Sequence, residues 1–280
     1  AVLARQPPRY PLFFDLDLYG GREDSDDTGA SSTLRAAVEY GDRLLISAMV
    51  EAVWEIYPAL RGGLEVVIFG SCGFCTKRER WKGSYHVLFP DVIVDRPTKC
   101  FPEQGIQCGR ARHTLVRNHV VCRLAEESGA GACAPMQELR EDLLRCCGFD
   151  VAEEREDSDD VTYLNDWTEV LDEFPLWHEP WPEACTGLRL PFTDKPGEGR
   201  PKVPLGRWRF SSPEPSATAA EAWPPPCSIE RLRDLDRVDW IRLGDISAHS
   251  TCELTPWDES AIHETAAEAC RCPDCDAAGT

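Results

Sequence analysis

Residues 11–19, PLFFDLDLY, place two carboxylates inside a segment that is otherwise apolar. Successive side chains of a β-strand point to opposite faces, so Asp15 and Asp17 share one face and the apolar residues beside them lie on the other. Two neighbouring carboxylates are costly in a buried strand unless a cation lies between them. The segment therefore predicts a strand whose polar face binds a positive charge.

The composition predicts a globular protein. Of its 280 residues 42% are hydrophobic, which is enough for one large core or two smaller ones. No run of about eighteen apolar residues occurs, and the opening AVLARQPPRYP lacks the charged and apolar regions of a signal peptide. We therefore expect an intracellular protein with no membrane partner, whose cysteines are reduced thiols or metal ligands rather than disulfides.

The formal net charge of −19 argues against a simple nucleic-acid binder, because phosphate contacts require Lys and Arg. The acidic excess lies largely in REDSDD and AEEREDSDD, which are typical of solvated loops. Two other stretches, CTKRERWKGSYH and GRARHTLVRNH, are locally basic. One face could therefore still follow a phosphate backbone, although ordinary surface charges explain these stretches equally well.

Hydrophobic periodicity predicts one sheet with helices packed on it. Apolar residues at three- and four-residue spacing predict a helix within residues 32–60 and further helices at 109–127 and 135–146. Strands are predicted at LEVVIFGS, GSYHVLFPDVIVD and GLRLPF. This order of elements predicts an α/β or α+β fold.

A Pro- and Ala-rich stretch, SSPEPSATAAEAWPPPC, is typical of a linker. We therefore expect a main domain at residues 1–210, a linker at 211–228 and a small separate unit at 229–280.

The stretch KGSYH carries a second set of polar side chains. On a strand, Lys82, Ser84 and His86 share one face, which offers an ammonium, a hydroxyl and an imidazole as donors to phosphate oxygens. Taken alone these are ordinary surface residues. Together with the aspartate pair they match two-metal phosphoryl transfer, in which carboxylates hold divalent ions about 3.5–4 Å apart and cations neutralise the leaving pyrophosphate.

FFDLD, KGSYH and LRLPFTDK, in this order, resemble the three motifs of the archaeo-eukaryotic primase superfamily. The most similar branch contains herpesvirus-type primase subunits and eukaryotic primase-polymerases. The resemblance spans roughly residues 12 to 196. It implies a palm related to the RNA-recognition fold, and relatives carry more sequence before the first motif, which leaves open that this domain lacks an N-terminal part.

The same resemblance implies an activity. The protein would synthesise primers on a single-stranded DNA template from nucleoside triphosphates, with Mg²⁺ or Mn²⁺ as cofactor. A helicase would be its partner, and the nucleus or another site of DNA replication its location.

The resemblance also assigns residues. Asp15 and Asp17 would bind the divalent metal and, with His86, belong to the catalytic set. The nucleotide would be bound by a mostly basic group, namely Lys82, Ser84, His86, Arg189 and Lys195.

The resemblance also implies a third acidic residue some ten residues before the arginine of the last motif, where this chain has WHEPWPEACTG and His178 lies nearest that position. The acidic candidates therefore lie at other spacings. Asp172 is favoured as this catalytic metal ligand because it follows two apolar residues, as the motif prefers. Glu179 and Asp194 remain alternatives.

The cysteines suggest two zinc sites. Cys72 and Cys75 have knuckle spacing, with Cys100 and Cys108 as completing ligands, although plain buried cysteines are the commoner case.

The relatives often end in a Cys/His zinc module. The set that this implies in the C-terminal tail is Cys252, His263, Cys270 and Cys275, with Cys272 as a spare ligand.

Two other functions remain open. One is an inactive, zinc-binding primase-like subunit of a helicase complex. The other is a metal-dependent nuclease, since paired aspartates also serve transfer to water. A nuclease has no need of the triphosphate-binding cations, and this distinguishes it from a primase.

Overall fold

The structure, a computed structural model, describes residues 9–19, 44–75, 80–95, 111–129, 132–147, 167, 170–171, 188–194, 199–212, 227–249 and 251–269. These residues build one five-stranded sheet with helices packed on it. The strands are β1 (Arg9–Tyr19), β2 (Leu64–Cys75), β3 (Arg80–Asp95), β4 (Val203–Ser211) and β5 (Ser228–Arg231).

The strands lie in the order β1-β3-β2-β4-β5, and every neighbouring pair is antiparallel. The helices are α1 (Leu44–Ile56), α2 (Arg112–Glu127), α3 (Ala134–Cys147), α4 (Arg237–Gly244) and α5 (Glu264–Ala269). A mixed fold of one antiparallel sheet and helices agrees with the α+β expectation. Within the described part of the chain, no helix is long and apolar enough to span a bilayer.

The core forms around the apolar face of the sheet. Leu12, Phe14 and Leu16 of β1 are buried, while the aspartates between and beyond them point to the other face. Helix α2 contacts β3, α3 contacts β1, and α1 packs against both helices. Helix α1 is buried on nearly every side, which explains why its sequence LLISAMVEAVWEI is almost wholly apolar.

The strands β2 and β3 and the helices α2 and α3 were predicted from periodicity and are confirmed. The strand expected at GLRLPF is wrong for the described residues 188–192, where only Arg189 has a bridge contact. The chain turns there instead, and Phe192 has a φ of +63°, a conformation that no strand contains.

The predicted elements do not include VPLGRWRFS, which forms β4. Its Pro204 and Gly206 lower strand propensity, and the register with β2 shifts at this point.

The described residues beyond the expected linker lie against the same sheet and helices. β5 pairs with β4, and α5 packs on α2. Thr255 hydrogen-bonds the backbone of Ile93 in both directions, with its Oγ1 accepting from the Ile93 amide at 2.7 Å. The 229–269 segment therefore shares its packing with the main domain.

A buried histidine links β1 to α2 and makes the fold sensitive to acid. His113 Nδ1 lies 2.7 Å from the Tyr10 hydroxyl, and burial, with the Arg117 charge, lowers the pKa of His113 to about 3. Its usual pKa is 6.5, so between pH 6.5 and 3 the unfolded chain binds a proton that the folded chain does not. Stability present above pH 6.5 is therefore lost as the pH falls.

We expect His113→Gln to flatten the pH dependence of stability. At about 1.4 kcal/mol per pKa unit, the parent loses on the order of 4–5 kcal/mol through this group between pH 6.5 and 3. The measurement is the free energy of unfolding by urea at several pH values from 7 to about 4. Carboxylates common to both proteins cancel in the difference, so equal slopes would mean that His113 is not the acid-sensitive group.

Candidate active site

The register between β1 and β3 brings the first two sequence motifs together. Asp15 lies directly opposite His86, and Asp17 lies opposite Ser84. Directly opposed residues of an antiparallel pair point to the same face, so all four side chains lie on the polar face of the sheet. Lys82 belongs to this face as well, because it follows the same alternation along β3.

The two carboxylates lie beside a lysine and a histidine of β3. The Lys82 ammonium forms an ion pair with Asp17, and His86 Nε2 lies 3.6 Å from Asp15 Oδ1. Burial raises the pKa of Asp15, with a further contribution from Asp17, and the nearby Lys202 opposes this shift. The ionised form of Asp15 is therefore unfavourable without an additional positive charge.

Lys202 completes the site, although sequence analysis did not single it out. Its side chain is fully buried, and its ammonium donates to Ser84 O at 3.1 Å and to Ser84 Oγ at 3.2 Å. Burial lowers its pKa to about 7, and the Asp15 charge acts in the opposite direction. In GRPKVPLG nothing marks this lysine, since only the path of the chain into β4 brings it to Ser84.

Arg189 supplies a further positive charge near these groups. Its Nη1 is buried and has no hydrogen-bond partner among the described residues. Burial, followed by the charges of Lys202 and Arg189, holds the pKa of His86 well below its usual range. His86 is therefore a neutral imidazole that can donate one hydrogen bond.

Ser71, Gly73 and Arg200 flank the site and were also missed by sequence reasoning. Ser71 on β2 lies opposite Ser84, and its hydroxyl donates to the Arg200 carbonyl at 2.7 Å. The Arg200 side chain crosses Gly73 so closely that a Cβ there would lie 2.7 Å from Arg200 Cδ. Gly73, with a φ of +154°, therefore gives room for this arginine at the edge of the site.

The expected third acid is only partly located. Leu171 forms an antiparallel bridge with Leu16, between the two aspartates, and so brings the chain just before Asp172 to the first motif. Asp172, Glu179 and the expected nucleotide-binding Lys195 lie outside the described residues.

Asp194, the other alternative for the third acid, has a local role. Its Oδ1 accepts from the Arg200 amide at 2.9 Å. This contact does not favour it as a metal ligand.

Of the four zinc ligands expected in the tail, Cys252 and His263 lie among the described residues. His263 lies with Nε2 at 2.6 Å from Glu126 Oε1, and its Nδ1 accepts from the Thr265 amide at 3.2 Å. Zinc binding would require His263 to give up one of these partners. Cys252 is a free thiol, Cys270 and Cys275 lie outside the described residues, and this set stays a prediction.

The knuckle hypothesis at CGFC fits less well. Cys72 and Cys75 both belong to strand β2, with an unbroken register to β3, whereas a knuckle requires a turn between its cysteines. The Cys72 thiol donates to the Tyr85 hydroxyl at 3.2 Å. Cys100 and Cys108 are not among the described residues, and the described residues contain no group of three or more His, Cys, Asp or Glu placed to bind a metal.

Neither the models of known protein families nor the curated proteins give a match to this chain.

Proposed function

We propose that this chain is a primase-type nucleotidyltransferase, which joins nucleoside triphosphates along a single-stranded DNA template. The observation that carries the proposal is the register of β1 on β3, which opposes the two aspartates to Ser84 and His86. The Lys202 ammonium binds Ser84 from the side of β4. Acidic ligands for a divalent ion and cations for a triphosphate thus share one face.

The carboxylates fit Mg²⁺ or Mn²⁺. Asp15 Oδ1 and Asp17 Oδ1 are buried without a hydrogen-bond partner among the described residues, as expected of oxygen ligands for a hard cation. Asp172, which follows the bridged Leu171, is the proposed third ligand. The bound ion would supply Lewis-acid activation of the attacking 3′-hydroxyl.

The cationic side of the face fits the triphosphate. Ser84, Lys82 and Lys202 offer hydroxyl and ammonium donors, and the neutral His86 offers a ring N–H. Arg189, whose Nη1 is buried, adds a positive charge that can stabilise the departing pyrophosphate. A nuclease would have no use for this set, so the cations favour nucleotide transfer over hydrolysis.

The proposal is tested by incorporation of labelled nucleotides on single-stranded DNA, with and without a primer, in Mg²⁺ and in Mn²⁺. We expect products that require both the template and the metal. Shortening of the template without incorporation would indicate a nuclease. Tight binding of nucleotide without either reaction would indicate an inactive subunit, whose proposed partner is a helicase.

A further inference from the structure

A short arm of the chain carries Lys202 into the site. The arm consists of residues 188–194 and 199–202, which pair through their backbones. The Phe192 amide donates to the Lys202 carbonyl at 2.6 Å, and the Lys202 amide donates to the Thr193 carbonyl at 3.0 Å. The backbone of Lys202 is therefore fixed on both sides by the turn that follows Arg189.

The turn of the arm is strained. Phe192 has a φ of +63°, which is rare for a bulky residue because its Cβ crowds the backbone. Thr193 closes the turn, since its amide and its hydroxyl both donate to the Leu190 carbonyl, at 3.2 and 2.7 Å. Strained backbone of this kind persists only where the surrounding structure holds it.

Helix α4 provides that support. Gly244 lies so close to the arm that a Cβ there would be 2.5 Å from Pro191 Cγ and 3.4 Å from Phe69 Cζ. The Arg237 guanidinium lies over the Phe192 ring, 5.0 Å from its centroid. Trp240 packs edge-on against Phe69, which is the neighbour of His86 in the sheet. Helix α4 thus contacts both the arm and Phe69, the residue of β2 that lies beside His86.

We infer that α4 is a positioning element for the nucleotide site, and that it sets nucleotide affinity by holding the arm that presents Lys202. This inference rests on the proposed function. Lys202 is fully buried and donates from a fixed position, so a small displacement of the arm breaks its contacts with Ser84 and with a phosphate at the same place. The C-terminal part of the chain is then part of the catalytic unit.

The test compares two glycine substitutions that create similar clashes. Gly244→Ala places a methyl group against Pro191 of the arm, whereas Gly206→Ala places one 2.6 Å from Trp208 Cη2 within β4. We expect Gly244→Ala to raise the KM for nucleoside triphosphate about tenfold, the loss of one charge-assisted hydrogen bond, with kcat little changed. Gly206→Ala should lower the melting temperature without raising this KM.

A milder variant covers the case in which Gly244→Ala fails to fold. Arg237 is exposed, so Arg237→Ala removes only the cation over Phe192, and we expect about a two- to fivefold rise in KM. An unchanged KM in Arg237→Ala and Gly244→Ala would overturn the inference. Equal rises in KM in Gly206→Ala and Gly244→Ala would also overturn it, because α4 would then act only through stability.

A second measurement separates this inference from the proposed function. Lys202 is shielded from solvent in the parent, so acetylation by acetic anhydride, followed by mass spectrometry, should leave it unmodified. In Gly244→Ala it should become labelled, and in Gly206→Ala it should stay protected. Protection in all three proteins would refute the support of the arm by α4, whereas labelling as expected in a protein that incorporates no nucleotide would refute only the proposed function.

Discussion

Replacement of Asp15 by asparagine is expected to abolish nucleotide incorporation while leaving the fold intact. The loss should be about a thousandfold or more, since a catalytic metal contributes several kcal/mol to the transition state. The melting temperature should stay the same or rise, because burial raises the pKa of Asp15 and its ionised form is unfavourable. The measurements are the rate of incorporation and thermal unfolding of the same sample.

The control for this substitution is Asp234→Asn. Asp234 is exposed, and its Oδ1 lies 3.9 Å from Arg231 Nη2, which makes a weak surface ion pair. The same chemical change at Asp234 should therefore alter neither the rate of incorporation nor the melting temperature. A second readout is the rise in melting temperature on adding Mn²⁺, which the parent and Asp234→Asn should show and Asp15→Asn should lack. Loss of the folded state in Asp15→Asn would point to a structural role for this carboxylate.

Lys202→Met is expected to weaken the binding of nucleoside triphosphate about ten- to hundredfold. The substitution removes a buried ammonium, and a charge-assisted hydrogen bond contributes roughly 1.5–3 kcal/mol. Methionine has a similar length and no charge to desolvate, so the protein should remain folded. Equilibrium binding of the nucleotide in Ca²⁺, where turnover does not interfere, measures the change.

The affinity for single-stranded DNA provides the contrast for Lys202→Met. It should stay near that of the parent, with the same salt dependence, because the Lys202 ammonium is held at Ser84, where the proposed function places the triphosphate and not the template. Arg233→Met, at an exposed position, is the matched change of a cation to methionine and should leave nucleotide binding unaltered. Weaker DNA binding with unchanged nucleotide binding in Lys202→Met would mean that this face contacts the template.

The aspartate and KGSYH faces could be predicted because they depend on local geometry. The alternation of side chains along a strand places Asp15 with Asp17 and Ser84 with His86, whatever the rest of the chain does. That the two faces meet is a matter of register, which the structure supplies by pairing Asp15 with His86. From the sequence alone, the meeting of the two faces was expected only because the motifs resemble those of primases.

Lys202 could not be predicted because its position depends on distant parts of the chain. The turn at Phe192 has a positive φ, which the sequence LRLPFTDK does not predict because no glycine or asparagine occupies that position. Pro204 and Gly206 weaken the strand pattern of β4 in the sequence. The residues before β4 therefore had no predicted location. A lysine in such a segment is indistinguishable from a surface lysine until tertiary structure places it.

The contacts of the C-terminal residues with the arm could not be predicted for a similar reason. Composition identifies a linker, but it does not say where the chain goes afterwards. The contacts of Arg237 with Phe192 and of Gly244 with Pro191 join residues more than forty positions apart. Contacts between residues so far apart produce no repeating pattern in the sequence from which they could be predicted.

The most direct test of the central claim is a crystal structure of the protein with Mn²⁺ and an unreactive nucleoside triphosphate, using the anomalous signal of manganese. The proposed function predicts manganese bound by Asp15 and Asp17, with the triphosphate beside Ser84, His86 and Lys202. Manganese or triphosphate bound elsewhere, with the Lys82 ammonium still paired to Asp17, would contradict it.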